Sequence, residues 1–165
     1  TVNYENSKKI IDSYLSDKII KEKYKFTVLR PSSIYGKGLK NDKIIIQLIN
    51  KIKNRKMIIL KAPFQKINFI HANDVAYAVY LSASKKKYGI FNIGSNKFYS
   101  IKDVANIINN LAIKKSLIKV NKIQKKLIFQ KKFNISISRA KNILGWKPKI
   151  LINQGINLIF KNRYS

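Results

Sequence analysis

The chain has 165 residues and a formal net charge of +28, from 35 Lys and Arg against 7 Asp and Glu. It holds no Cys and a single His, which excludes disulfides and any Cys- or His-rich metal centre. Its mass of 19.1 kDa is enough to bury a real core, and no apolar run approaches the roughly 20 residues that span a bilayer.

Residues 4–23 read as a helix, with Ile10, Ile11, Tyr14, Leu15 and Ile19 at helical spacing. Residues 26–30 read as a buried strand, closed by Pro31 and the loop Ser32-Ser33-Ile34-Tyr35-Gly36-Lys37-Gly38. A helix comes next over 42–53 with Asp42 as its cap, then a strand near 57–60. A strand-to-helix unit spans 67–84, in which Asp74 is the expected cap of the helix carrying Val75, Ala76 and Val79. His71 is expected to be partly buried just ahead of it. A strand over 90–93 precedes a helix from Ile101 to Leu111, capped by Ser100. Helices close the chain, with Gly145 at a C′ position after Leu144 and Pro148 just beyond. Trp146 is expected in the core. No internal repeat is evident.

The charge invites a nucleic-acid reading, because clustered Lys binds polyphosphate. The lysines are scattered, though, and 31 of them stand against only 4 Arg, the preferred base-reading residue. No helix-turn-helix, zinc finger or aromatic RNA platform is visible. Specific nucleic-acid binding is not expected, nor is a membrane span. Nothing resembles a signal peptide, so the expected compartment is the cytoplasm.

The pattern that carries chemistry is Tyr4-Glu5-Asn6-Ser7-Lys8. Residues four apart share a helix face, and an ammonium beside a phenol suits proton transfer. With 9 Tyr and 31 Lys, chance places Tyr-x-x-x-Lys about twice, and it occurs twice, at Tyr4/Lys8 and Tyr14/Lys18. The distance to the next strand separates the two copies. From Tyr4 to Arg30 is 26 positions, enough for the helix, a turn and a strand running back along it. Tyr14 would sit mid-helix, far from the carboxyl end of that strand. Tyr14 and Lys18 are therefore read as helix surface or interface.

Tyr4-x-x-Ser7-Lys8 followed by Leu29-Arg30-Pro31-Ser32-Ser33-Ile34-Tyr35-Gly36 resembles the extended short-chain dehydrogenase/reductases, the NAD-dependent sugar epimerases and dehydratases. Three later blocks are similar to the family in the same order: Phe69 to Ala76, Gly89 to Ser95 with Ser100 to Ala105, and Ser138 to Pro148. The resemblance implies an α/β fold, the C-terminal part of a Rossmann-type parallel sheet plus a smaller α/β substrate-binding lobe. Residues 1–36 and 87–96 would belong to the NAD(P)-binding domain, and 37–86 with 97–165 to the lobe.

The resemblance also implies roles. Tyr4 would be the catalytic acid/base, and Lys8 would hold the nicotinamide ribose of NAD or NADP. Pro31, Ser32 and Ser33 would face the nicotinamide and the sugar, since open α/β sheets bind ligands at the carboxyl ends of their strands. Ser33 and Tyr35 would also touch a nucleotide-sugar substrate. Where the family places a diphosphate-gripping Arg this chain has Ile67, with Lys66 beside it, and a second family Arg falls near Lys125 or Lys126. Lys66 and Lys126 are thus the expected substrate cations, as point charges rather than bidentate forks. A homodimer through helix 4–23 is expected, with Ile11, Tyr14 and Leu15 as its apolar contacts. No metal is expected.

Parts of the family pattern are missing. The chain has no Gly-x-x-Gly-x-x-Gly turn and no Ser/Thr some two dozen residues before the Tyr. The expectation is the C-terminal portion of an NAD(P)-dependent nucleotide-sugar epimerase or dehydratase, whose N-terminal Rossmann half is absent here and which is inactive as this portion alone. A ketoreductase of the same family, a non-catalytic ligand- or partner-binding homologue and a basic polyanion-binding module are the alternatives.

Overall fold

The computed structural model describes residues 3–21, 24–120 and 134–162. The side-chain oxygen of Asn3 accepts the Asn6 N–H at 3.0 Å and so caps helix α1, Tyr4–Ile20. The expected span of 4–23 overruns this end; residues 22–23 lie outside the described set. Strand β1, Thr27–Pro31, then runs parallel to β6, Gly89–Ile93, with Thr27 opposite Gly89 and Pro31 opposite Ile93. Three more strand pairs are present among the described residues. They are β2, Ser33–Tyr35, parallel with β5, Phe69–His71; β3, Ile58–Leu60, parallel with β8, Ile118–Val120; and β4, Lys66–Ile67, antiparallel with β7, Tyr99–Ser100. The helices are α2 (Ile44–Lys53), α3 (Ala72–Ser84), α4 (Ile101–Leu111) and α5 (Ile152–Asn162), with a π-helical turn at Ala140–Leu144. This mixed α/β architecture with parallel pairs is the one expected.

Two caps differ from expectation. α2 begins at Ile44 behind Lys43, and no side chain caps it. A turn bonded from Lys43 N–H to Lys40 O leaves Asp42 one residue before the cap, where its carbonyl accepts from Gln47 Nε2 at 2.9 Å. α3 begins at Ala72, and its cap is His71, whose Nδ1 accepts the Asn73 N–H at 3.2 Å. Asp74 lies inside the first turn and is used elsewhere. Ser100 does cap α4, in a capping box with Asp103: Oγ accepts the Asp103 N–H at 3.0 Å, and the Asp103 carboxylate accepts the Ser100 N–H at 2.9 Å.

Among the described residues the buried apolar side chains form two clusters. One gathers α2, α4 and α5 over Ile58, Leu60, Tyr35 and Phe69. The other packs Phe91 and Ile93 of β6 against Ala78 and Leu81 of α3 and against Ala140, Leu144 and Trp146. Trp146 is fully buried, as expected, behind Gly145 at φ 68°. The second cluster crosses the expected domain division. The apolar faces of α3 and of residues 140–146, read as lobe, pack on the β1–β6 pair.

Candidate active site

α1 lies along β1, and between them is a cleft of about 570 Å³ lined by Tyr4, Lys8, Asp12, Leu29, Arg30 and Pro31, among others. The Lys8 ammonium lies 5.5 Å from the centroid of the Tyr4 ring. Lys18 stands at the same 5.5 Å from Tyr14, so the pair geometry alone does not distinguish the two copies. Position does: Tyr4 and Lys8 line the cleft, and Tyr14 is exposed outside it. Both Tyr4 and Lys8 are open to solvent.

Arg30 reaches from β1 to α1. Its Nε donates to Asp12 Oδ1 and its Nη2 to Asp12 Oδ2, both at 2.6 Å, and Nη2 also donates to Ser16 Oγ at 3.1 Å. This is the planar fork that Lys cannot make. No motif in the sequence marks Asp12. The usable signal is position: it follows Lys8 by four residues on the same helix stripe, one of seven acids among 35 bases.

Beyond Pro31 the chain turns away from the cleft. Ser32 Oγ donates to Asn68 Oδ1 at 2.8 Å, which also accepts the Ser95 N–H at 2.9 Å. Asn68 Nδ2 donates to the carbonyls of Ser95 (2.7 Å) and Lys97 (3.2 Å), and its backbone carbonyl accepts the Ser33 N–H at 3.0 Å. Asn68, buried and marked by no sequence motif, thus joins the loops after β1 and β6 to the entry of β5. Gly94 is required beside it, since a Cβ there would meet Asn68 Oδ1 at 2.9 Å. Ser33 is exposed.

Tyr35 is only 2% exposed. Its ring stands edge-on to Phe69 and His71, with centroids at 6.2 and 5.2 Å. Burial first, then the Asp74 and Tyr99 charges, push its phenol well above the usual range. It remains protonated inside the core and does not line the cleft. Burial also lowers His71 below its ordinary value, more than the Asp74 carboxylate raises it.

On the two-residue β4 the side chains alternate, Ile67 inward and Lys66 outward. Ile67 lines a second cavity, of about 440 Å³, whose polar lining is Gln47, Lys51, Lys61 and Gln65. Lys66 does not line it. Lys125 and Lys126 lie outside the described residues. Among the described residues no group of three His, Cys, Asp or Glu can hold a metal ion, and no helix is long and apolar enough to cross a membrane.

Residues 1–94 match the NAD dependent epimerase/dehydratase family. The chain belongs to this family. It is 30% identical to the dTDP-D-glucose 4,6-dehydratase of Mus musculus over 82% of this chain and 40% of that protein. It is 28% identical to the dTDP-4-dehydro-6-deoxyglucose reductase of Escherichia coli over 98% of this chain and 52% of that protein. The chain thus spans about half the length, or less, of these relatives. The fold superposes on RMD from Pseudomonas aeruginosa complexed with NADPH, with a TM-score of 0.80 and 21% identity over 96% of this chain and 55% of that one.

Proposed function

We propose that this epimerase/dehydratase-family chain supplies the acid/base half of an NAD(P)-dependent enzyme acting on a nucleotide sugar. Tyr4 is the acid/base that moves a sugar hydroxyl proton while the nicotinamide, where bound, accepts or returns the hydride. Lys8 binds the nicotinamide ribose and keeps an ammonium beside the phenol. One observation carries this reading: Tyr4 and Lys8, on one face of α1, line the same cleft as the carboxyl end of β1.

Of the neighbouring candidates, Pro31 borders the cleft, and Ser33 is the exposed hydroxyl beyond it. Ser32 acts through Asn68, and Tyr35 serves the framework. Lys66 and Lys126 are proposed substrate contacts that hold the diphosphate by charge alone. We further propose dimerisation through α1, on which Ile10, Ile11 and Tyr14 are more than half exposed. The working compartment is the cytoplasm.

The chain contains no glycine-rich dinucleotide turn, so residues 1–165 by themselves should not bind NAD tightly or turn over. The test is Tyr4→Phe in the protein that joins this chain to such a turn. Turnover should fall by about 10²–10⁴-fold. Unchanged turnover would overturn the assignment of Tyr4. A ketoreductase is the second reading, favoured by the match to the bacterial reductase along 98% of the chain. Net reduction of a keto sugar without epimerisation would select it.

A further inference from the structure

We propose that Asp12 and Arg30 are the positioning pair of α1, setting Tyr4 and Lys8 against the carboxyl end of β1. The functional weight of this proposal rests on the catalytic assignment of Tyr4 and Lys8. Its structural content stands on geometry alone.

α1 is poorly anchored by apolar burial. None of its described side chains is buried, and Ile10, Ile11, Tyr14 and Ile20 are each more than half exposed. Within a single chain, such partial contacts give α1 little apolar packing to resist rolling or sliding. The Arg30 guanidinium removes both freedoms. Nε and Nη2 take the two Asp12 oxygens, and Nη2 also takes Ser16 Oγ one turn further on. Gripping two successive turns fixes rotation about the helix axis and translation along it. Tyr4 and Lys8 precede Asp12 by eight and four residues, so they occupy the same stripe, with Tyr4 about 12 Å away along the axis. A slip of one residue would turn that stripe about 100° away from the cleft. Arg30 sits next to Pro31, so the same backbone that borders the site also holds the helix. The restraint is a hydrogen-bonded fork, and charge alone does not reproduce it.

The experiment compares wild-type chain 1–165 with Arg30→Lys, Asp12→Asn and Ser16→Ala. It reads amide hydrogen exchange along α1 and, as a control, along α4. Arg30→Lys and Asp12→Asn should speed α1 exchange about tenfold, leaving α4 exchange unchanged. Ser16→Ala should leave α1 exchange close to wild type, because the carboxylate fork remains. Unchanged α1 exchange in Arg30→Lys would overturn the proposal. A functional arm uses the protein joined to a dinucleotide turn: Arg30→Lys should lower kcat at least about tenfold with KM little changed. If Tyr4→Phe leaves turnover intact, the catalytic reading falls while the exchange measurements still judge the pair.

Discussion

The indole of Trp146 donates to the backbone carbonyl of Asp74 at 2.8 Å, and the Asp74 carboxylate accepts the backbone N–H groups of Lys149 (3.0 Å) and Ile150 (3.1 Å). One residue in the first turn of α3 therefore holds a segment more than seventy positions away. Lys85, just past the other end of α3, adds a bond from Nζ to Leu144 O at 2.9 Å. Together they seat the 144–150 segment on the helix that covers the β1–β6 pair, and α5 begins directly after it.

Asp74→Asn keeps the side chain's shape but offers one oxygen to two N–H donors. The other donor then faces an amide NH₂ group. In this part-buried position an unmet donor should cost about 1 kcal/mol, and this loss should appear in urea unfolding. A change below about 0.5 kcal/mol would show that the carboxylate does not hold the segment.

Asp74 also marks how far the sequence could be read. The block from Phe69 to Ala76 located a strand and a helix, but the cap was misplaced by three residues. Histidine is an uncommon cap, while Asp is a favoured one. Trp146 was legible because so large an aromatic side chain is buried far more often than not. The Tyr4–Lys8 stripe was legible because helical period is local. The Arg30–Asp12 fork was not, since no local periodicity couples a strand residue to a helix residue 18 positions earlier. Tyr35 looked like a loop residue because Gly36 and Gly38 come after it; its burial depends on Phe69 and α5, which are distant in sequence. The outward turn of Lys66 needed only strand parity, once Ile67 was seen to be apolar.

Gly155→Ala should destabilise the chain although it improves helix propensity. A Cβ at this position of α5 would press on Tyr35 Oη and approach His71 Cδ2 to 2.8 Å. Overpacking of this kind costs about 1–3 kcal/mol, against a propensity gain of about 1 kcal/mol. Both ring systems are buried and cannot retreat into solvent. A lowered Tm is the expected outcome. A raised Tm would mean that α5 shifts to make room.

His71 should make stability depend on pH. Its folded pKa is lowered from the ordinary 6.5, with burial as the main cause. The folded state therefore favours the neutral ring, whose Nδ1 must stay unprotonated to accept the Asn73 N–H. Stability is complete above 6.5, where neither state binds the proton. It falls as the pH drops below that value, because the unfolded chain protonates first, and the loss stops once the pH is below the lowered folded value. His71→Asn keeps a capping oxygen and removes the titration. Urea midpoints from pH 8 to 5 should lose the part of their slope that His71 supplies; an unchanged slope would assign it to other groups.

The loop that carries Ser32 and Ser33 hangs on Asn68. Asn68→Ala leaves Ser32 Oγ, the Ser95 N–H and the carbonyls of Ser95 and Lys97 without their shared partner. Water can reach some of these groups, so the cost should be about 3 kcal/mol rather than the full penalty for all of them. Ser32→Ala removes one bond and should cost about 1 kcal/mol. If Ser32 is held through Asn68, the two losses share one interaction. The double variant should then be no worse than Asn68→Ala alone, giving a coupling of about 1 kcal/mol in the cycle. Simple additivity would free the Ser32 hydroxyl to face a ligand. The proposed division of labour, with Ser32 in the framework and Ser33 at the site, would then be reversed.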